Sequence, residues 1–304
     1  MLATNPTQLP HPTFLMNYPF SFAIDAPNNV WMREAKGDEL KLDLEKAGAQ
    51  WGDLYGTLAA DSLVYILPTP AEALGLQDLV FTANLGVTME HTGQVVLSNF
   101  TATERVGEAA VGKPFLQSMN LDVLEPAAKF EGEADLKHLH DNVYVGGYGQ
   151  RSSQAALDWI AEQTDAIILP VQLQDEYLYH LDCSVFPLTA TQTMVCCDAF
   201  EEDELGALDE ETEVIDVSED AAYSGICNSV RLHNLIVNHS NIHDLKRGTE
   251  DYQLEVKKNR ELEDIAAKMG FEVCYVNISE LAKGGAMLSC LVMHLNRWSY
   301  GVDY

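Results

Sequence analysis

The 304-residue chain is 47% apolar and 9% aromatic, enough for a sizeable core, and its 18 Lys and Arg against 47 Asp and Glu leave a formal charge of −29. Such a surplus repels nucleic acid and anionic membrane surfaces, so neither is expected as a partner. No stretch approaches the roughly eighteen apolar residues of a membrane span, and Met1–Pro12 has no basic region followed by an apolar run, so a cytoplasmic location is expected.

In chain order, the segment Thr13–Asn29 and a helix near Asp38–Gly48 precede a strand at Leu63–Leu67. Leu79–Asn84 and Gln94–Phe100 read as strands, Thr103–Met119 as a helix opened by Thr103 with Glu104 in its first turn, and Leu121–Glu125 as a strand. The order strand, strand, helix, strand recurs with Lys129–Asp135, Asn142–Gly147, a helix from Ser152 or Ser153 to Gln163, and Ala166–Leu173. A third copy runs through Tyr177–Leu188, Gln192–Asp198, a short acidic helix near Asp203–Leu208 and Glu213–Val217. A fourth runs through Ser224–Arg231, Leu235–Asn238, the amphipathic helix Tyr252–Met269 stopped by Gly270, and Phe271–Ile278.

The strand around Ala286–Leu295 and the N-terminal pieces complete a fifth copy across the termini. A period of roughly 45 residues marks a repeat architecture in which no unit buries its apolar face alone. One α/β domain over 1–304, with five-fold pseudosymmetry, is the expectation; an ordinary two-layer α/β domain is the alternative.

Unusual polar residues gather at the ends of these first strands: Asn29, Asn84, Glu131, His180 and Cys290. In a closed ring of repeats such positions converge on the axis. A cysteine attacks as its thiolate, whose pKa a nearby imidazolium or bound cation lowers. His180 is suited to shuttle protons, and Glu131 to hold its ring in one tautomer. Asp182, two residues beyond His180 on an expected strand, shares its face and suits paired hydrogen bonds to a planar cation. Cys290 by itself reads as core filler; with these partners it reads as a nucleophile for a guanidinium carbon, forming a thiouronium-type intermediate.

These residues carry a resemblance. His180-Leu181-Asp182, Phe130-Glu131-Gly132 with Asp135, Gly147-Tyr148-Gly149-Gln150-Arg151 and the glycine-led Cys290 resemble the guanidino-group-modifying, or pentein, superfamily. The resemblance implies a five-bladed α/β propeller of ββαβ modules, with Cys290 as nucleophile, His180 as acid and base and Glu131 as its partner. Arginine deiminases have an aspartate where this chain has Asn84. Asn84 and the motif Asn29-Val30-Trp31-Met32 are similar instead to the arginine dihydrolases of cyanobacteria, which take arginine to ornithine, ammonia and carbon dioxide. Asp182, Asn84, Asn29 and Arg151 are the expected substrate-binding residues, with Arg105 a weaker candidate for the substrate carboxylate.

The same reading leaves a dimethylarginine dimethylaminohydrolase, an arginine deiminase and an amidinotransferase as rivals, and a catalytically inactive propeller scaffold as the reading from another class. A small guanidino molecule is the expected partner, a homodimer is a further expectation, and no cofactor or metal is called for. The six cysteines show no CxxC framework, which fits reduced thiols. His138 with His140, and His239 with His243, have spacings that suit metal ligation, but neither pair has a third ligand, so all four are read as surface histidines.

Overall fold

A computed structural model describes residues 5–301. Within them lie five three-stranded sheets, each with its first strand antiparallel to the second and its second parallel to the third. Parallel neighbours need a long crossover, and a helix supplies it in every module.

The first module is Gly86–Met89, Gln94–Leu97, helix Glu108–Ser118 and Val123–Leu124. The second is Leu136–His140, Val143–Tyr148, helix Gln154–Thr164 and Ile167–Gln172, and the third is Val185–Pro187, Gln192–Val195, helix Glu202–Glu211 and Glu213–Asp216. The fourth is Val230–Leu232, Leu235–His239, helix Glu250–Met269 and Glu272–Val276. The fifth joins the two ends of the chain: Met293–His294 pairs antiparallel with Thr13–Asn17, which pairs parallel with Leu63–Leu67 after the helix Leu44–Ala59. The five-bladed α/β propeller expected from the repeats is therefore the observed fold.

Local chemistry sets the helix ends. Thr249 caps its helix by accepting from the Tyr252 amide, and Gly270, at φ 80°, ends it in the left-handed conformation that costs glycine least. Ser153 caps Gln154–Thr164 in the same way through the Ala156 amide.

The apolar cores lie between modules. Leu15 and Met293 of the fifth pack with Leu85, Leu97 and Leu116 of the first. Val87 and Val96 pack with Tyr144 and Leu157, Val145 and Val171 with Val185 and Val195, and Phe186 and Met194 with Ile236 and Leu262. Val230 and Val237 of the fourth close the ring against Phe14, Leu54 and Leu58. Each module covers one neighbour's sheet, which is why the fold needs all five.

The first strands depart from the sequence expectation. Leu79–Asn84, Lys129–Asp135 and most of Tyr177–Leu188, Ser224–Arg231 and Ala286–Leu295 are turns, and the strands start later. Tight 3-10 turns stand in their place: Thr82–Asn84, Gly132–Ala134, Leu181–Cys183 and Ser289–Leu291. Apart from Cys183, their residues are buried near the axis, so their apolar runs mimic a strand. The expected helix Thr103–Met119 also splits, into a 3-10 turn Thr103–Arg105 and the helix from Glu108, because Gly107 at φ 119° reverses the chain between them. The helix expected near Asp38–Gly48 is a 3-10 turn Gly37–Leu40 followed by Leu44–Ala59.

Candidate active site

The four 3-10 turns pack against one another at the axis. A 3-10 turn presents side chains every third residue and folds the backbone back on itself, so several polar groups face one point within a short length. Gly132, at φ 66°, shows how close the turns come: a Cβ there would lie 2.7 Å from the Ala83 carbonyl oxygen and 2.8 Å from the Gly86 nitrogen. Thr82 Oγ1 bonds both the Leu15 and Leu291 carbonyls at 2.9 Å, tying the first module to the fifth.

Five of the expected residues meet there. His180 Nε2 lies 2.9 Å from Glu131 Oε2, and its Nδ1 lies 3.4 Å from Asn84 Nδ2. With the amide donating to Nδ1, the ring proton sits on Nε2 and faces the carboxylate. Cys290 Sγ donates to Asp182 Oδ2 across 3.4 Å, and the Ser289 hydroxyl donates to the same oxygen at 2.8 Å. Glu131 and Asp182 are fully buried, and Asn84, His180 and Cys290 nearly so. Cys290 and His180 share a cavity of about 120 Å³ with Tyr179, Trp31, Met287 and Asn228.

Electrostatics follow from that burial. Loss of water and the Asp182 carboxylate both push the Cys290 thiol well above its ordinary value, so these surroundings by themselves favour the neutral thiol. Burial alone would also raise Glu131, but the hydrogen bond and charge of His180, with Arg151 and Arg105, bring it down to about 2. Burial raises Asp135 to about 6 against the opposing charge of His180; its oxygens accept from the Ser152 hydroxyl at 2.6 Å and the Leu181 amide at 3.2 Å.

Two expected residues stand elsewhere. Asn29 does not end a first strand: it is the N-cap of the short helix Val30–Glu34, accepting from the Met32 amide at 2.9 Å. Its Nδ2 bonds the Gly284 carbonyl at 2.9 Å, and it packs directly on Gly285, whose φ of 75° and missing Cβ allow that approach. It therefore braces the double glycine ahead of Cys290. Arg151 is largely buried, 3.7 Å from Glu131, bonded to the Asn28 carbonyl and stacked over Tyr179 at 5.0 Å. It lines a second, more open pocket of about 410 Å³ with Asn28, Asn29, Arg33 and Tyr179.

Other sequence readings need correction. Asp182 lies in a 3-10 turn, so it reaches the thiol through the turn and not through strand alternation. Arg105 is buried in a two-pronged pair with Glu108, at 2.9 and 2.8 Å, and is committed to structure. Of the histidines read as surface groups, His239 is buried at the end of its strand, its Nδ1 3.1 Å from the Ile278 nitrogen. His138 is half-buried against Tyr144 and His140 meets Asp141 and Glu211; among the described residues no three metal-ligating side chains cluster.

Sequence reasoning missed Asn228 and Ser289. Asn228 precedes the first strand of the fourth module as Asn84 precedes that of the first, so repeat register would have found it. Ser289 gave no signal beyond adjacency to Cys290.

The fold defines the class as the five-bladed pentein propeller, with a buried cysteine, histidine and carboxylates meeting at its axis. More narrowly, residues 18–297 match the family N,N dimethylarginine dimethylhydrolase, eukaryotic, and the chain belongs to it. It is 28% identical over 290 residues to the bifunctional arginine dihydrolase/ornithine cyclodeaminase AgrE of Nostoc sp., covering 93% of this chain and 37% of that protein. It thus spans little more than a third of that relative. With the N(G),N(G)-dimethylarginine dimethylaminohydrolase of Mycobacterium tuberculosis it shares 27% identity over 286 residues, 93% of this chain and 85% of the other. The solved N-terminal domain of ArgZ with product bound, an arginine dihydrolase from the ornithine-ammonia cycle in Cyanobacteria, superposes with a TM-score of 0.81 at 27% identity, over 94% of this chain and 97% of that one. No helix among the described residues is long and apolar enough to cross a membrane.

Proposed function

We propose that the five modules act as one catalytic unit that hydrolyses arginine through Cys290 and carries it on to ornithine, ammonia and carbon dioxide. The observation that carries this reading is the charge around the thiol. Asp182 is the carboxylate within hydrogen-bond reach of Sγ, whereas Asn84 sets a neutral amide against His180. One carboxylate suffices to seat a guanidinium, and neutral amides bond a guanidine and a ureido group alike. The neutral intermediate of the first hydrolysis is then held for the second.

In this reading the substrate cation pairs with Asp182 and lowers the thiol pKa, His180 takes the Sγ proton, and Sγ attacks the guanidino carbon. His180 then protonates the leaving amine, ammonia departs, and His180 activates the water that releases the sulfur. Glu131 keeps the imidazole oriented. Arg151, in the pocket beyond Tyr179, is the residue this reading assigns to the substrate carboxylate.

A second reading, removal of dimethylamine from dimethylarginine, is favoured by the apolar lining of the thiol cavity, where Trp31, Tyr177 and Met287 suit N-methyl groups. Incubating the purified protein with arginine, and separately with dimethylarginine, while quantifying ornithine, citrulline and ammonia separates the two. Ornithine with two equivalents of ammonia supports the first. Citrulline as the end product from arginine excludes the second hydrolysis, and turnover of dimethylarginine alone supports the other reading.

A further inference from the structure

The fourth module contributes a residue to the site that no motif announced. Asn228 is 2% exposed, lines the thiol cavity and donates its Nδ2 to Ser289 Oγ at 3.0 Å. Ser289 Oγ in turn donates to Asp182 Oδ2 at 2.8 Å, the oxygen that also receives the Cys290 thiol. A hydroxyl has one proton and two lone pairs. With a lone pair occupied by the Asn228 N–H, the proton of Ser289 is directed at Asp182.

We propose that Asn228 and Ser289 form a positioning relay that fixes the Asp182 carboxylate for the substrate guanidinium. One oxygen, Oδ2, is pinned by the hydroxyl, so the carboxylate plane is set before the cation arrives. Both ends of the relay are held independently. The turn carrying Asn228 is tied down by Asn238, whose Nδ2 bonds the Gly225 carbonyl and Ser229 Oγ at 2.9 Å each. Ser289 opens the turn that presents Cys290. The relay therefore couples the seat of the cation to the backbone that aims the nucleophile, and it brings the fourth module into a centre that otherwise draws on the other four.

The inference rests on the reading of Asp182 as the cation's partner, and the experiment separates the two. Arginine KM and kcat are measured for wild type, D182N, S289A, S289T, N228A, N228D and the double variant S289A/N228A, with arginine protection of Cys290 from alkylation as an independent measure of binding. S289A and N228A are expected to raise KM about tenfold, the effect of one lost hydrogen bond to a charged group, with kcat changed far less. The double variant is expected to match the single ones, because either change breaks the same relay. S289T keeps the hydroxyl and is expected to retain wild-type KM.

N228D is the sharpest arm. Aspartate accepts from the Ser289 hydroxyl and turns its proton away from Asp182, loosening the cation, whereas added negative charge alone would tighten it. Tighter binding by N228D overturns the relay, as does additivity in the double variant, which would mean that Asn228 meets the substrate directly. An unchanged KM in D182N overturns the reading of Asp182 itself; a raised KM in D182N beside wild-type values in S289A and N228A overturns the relay alone. Thermal melting identifies any variant that fails to fold, and the others then decide the matter.

Discussion

Cys290 Sγ and Asp182 Oδ2 lie 3.4 Å apart, so the carboxylate proposed to seat the substrate also adds to burial in keeping the proposed nucleophile protonated. A cation bound at Asp182 offsets that carboxylate and removes its share of the penalty on the thiolate, leaving the share that burial imposes. In the proposed reaction, reactivity is thereby tied to occupancy.

Replacing Asp182 by Asn tests this with opposite signs in two assays. Without the negative charge the thiol pKa falls, so alkylation of Cys290 around pH 8 is expected to quicken several-fold in D182N when no substrate is added. Arginine turnover by the same variant is expected to fall by at least about a hundredfold, because the guanidinium loses its partner. Mass spectrometry of the Cys290 peptide reads the first, and ammonia release the second.

Asn84 is where the second hydrolysis is expected to be decided. An aspartate in its place adds a carboxylate to the pocket, favouring the charged guanidinium over the neutral ureido group. N84D is expected to release citrulline in place of ornithine; an unchanged product ratio sinks this account of the amide.

Gly132 carries the tightest contact between the turns. Its φ is 66°, and a methyl group added there would meet backbone atoms of Ala83 and Gly86 within 3 Å, with no flexible neighbour to move aside. Gly132→Ala is expected to cost about 2–4 kcal/mol and to lower the melting temperature by at least roughly 5 °C. Activity measured well below the transition should fall as well, since Glu131 is the preceding residue.

Asp135 ties stability to pH. Its carboxyl rises from an ordinary 3.8 to about 6 on folding, because burial disfavours the charge more than His180 stabilises it. A group whose pKa rises on folding favours the fold when protonated. Its contribution is complete below 3.8 and is lost as pH rises through about 6. Relative to D135N, the wild type is expected to lose about 3 kcal/mol across that window, seen as a change in the difference between their melting temperatures from pH 4 to pH 8.

Much of the fold was legible because each repeat carries its own period and stops. The helix ending at Gly270, the cap at Ser153 and the strand Leu63–Leu67 rest on local chemistry and stand where the sequence places them. The first strands were misplaced because Phe81-Thr82-Ala83 and Leu288-Ser289 are buried by neighbouring modules and not by their own sheet. Arg105 misled for a related reason: nothing in Thr103-Glu104-Arg105 shows that Gly107 will turn the helix back and deliver Glu108 to the guanidinium.

The sequence by itself determined the repeat, its closure across the termini and the set of unusual polar residues that recurs with it, since these follow from periodicity and residue type along one dimension. Only the tertiary structure decided which of those residues meet. Asn29 belongs to a helix cap bracing the double glycine, Arg151 leans on Tyr179, and Asn228 reaches Asp182 through Ser289. The hydrogen bonds from Asn228 to Ser289, Ser289 to Asp182 and Asn29 to Gly284 join residues between about 60 and 255 positions apart in the chain and depend on how the turns stack around an axis. That geometry is fixed by packing between modules, which no local pattern encodes.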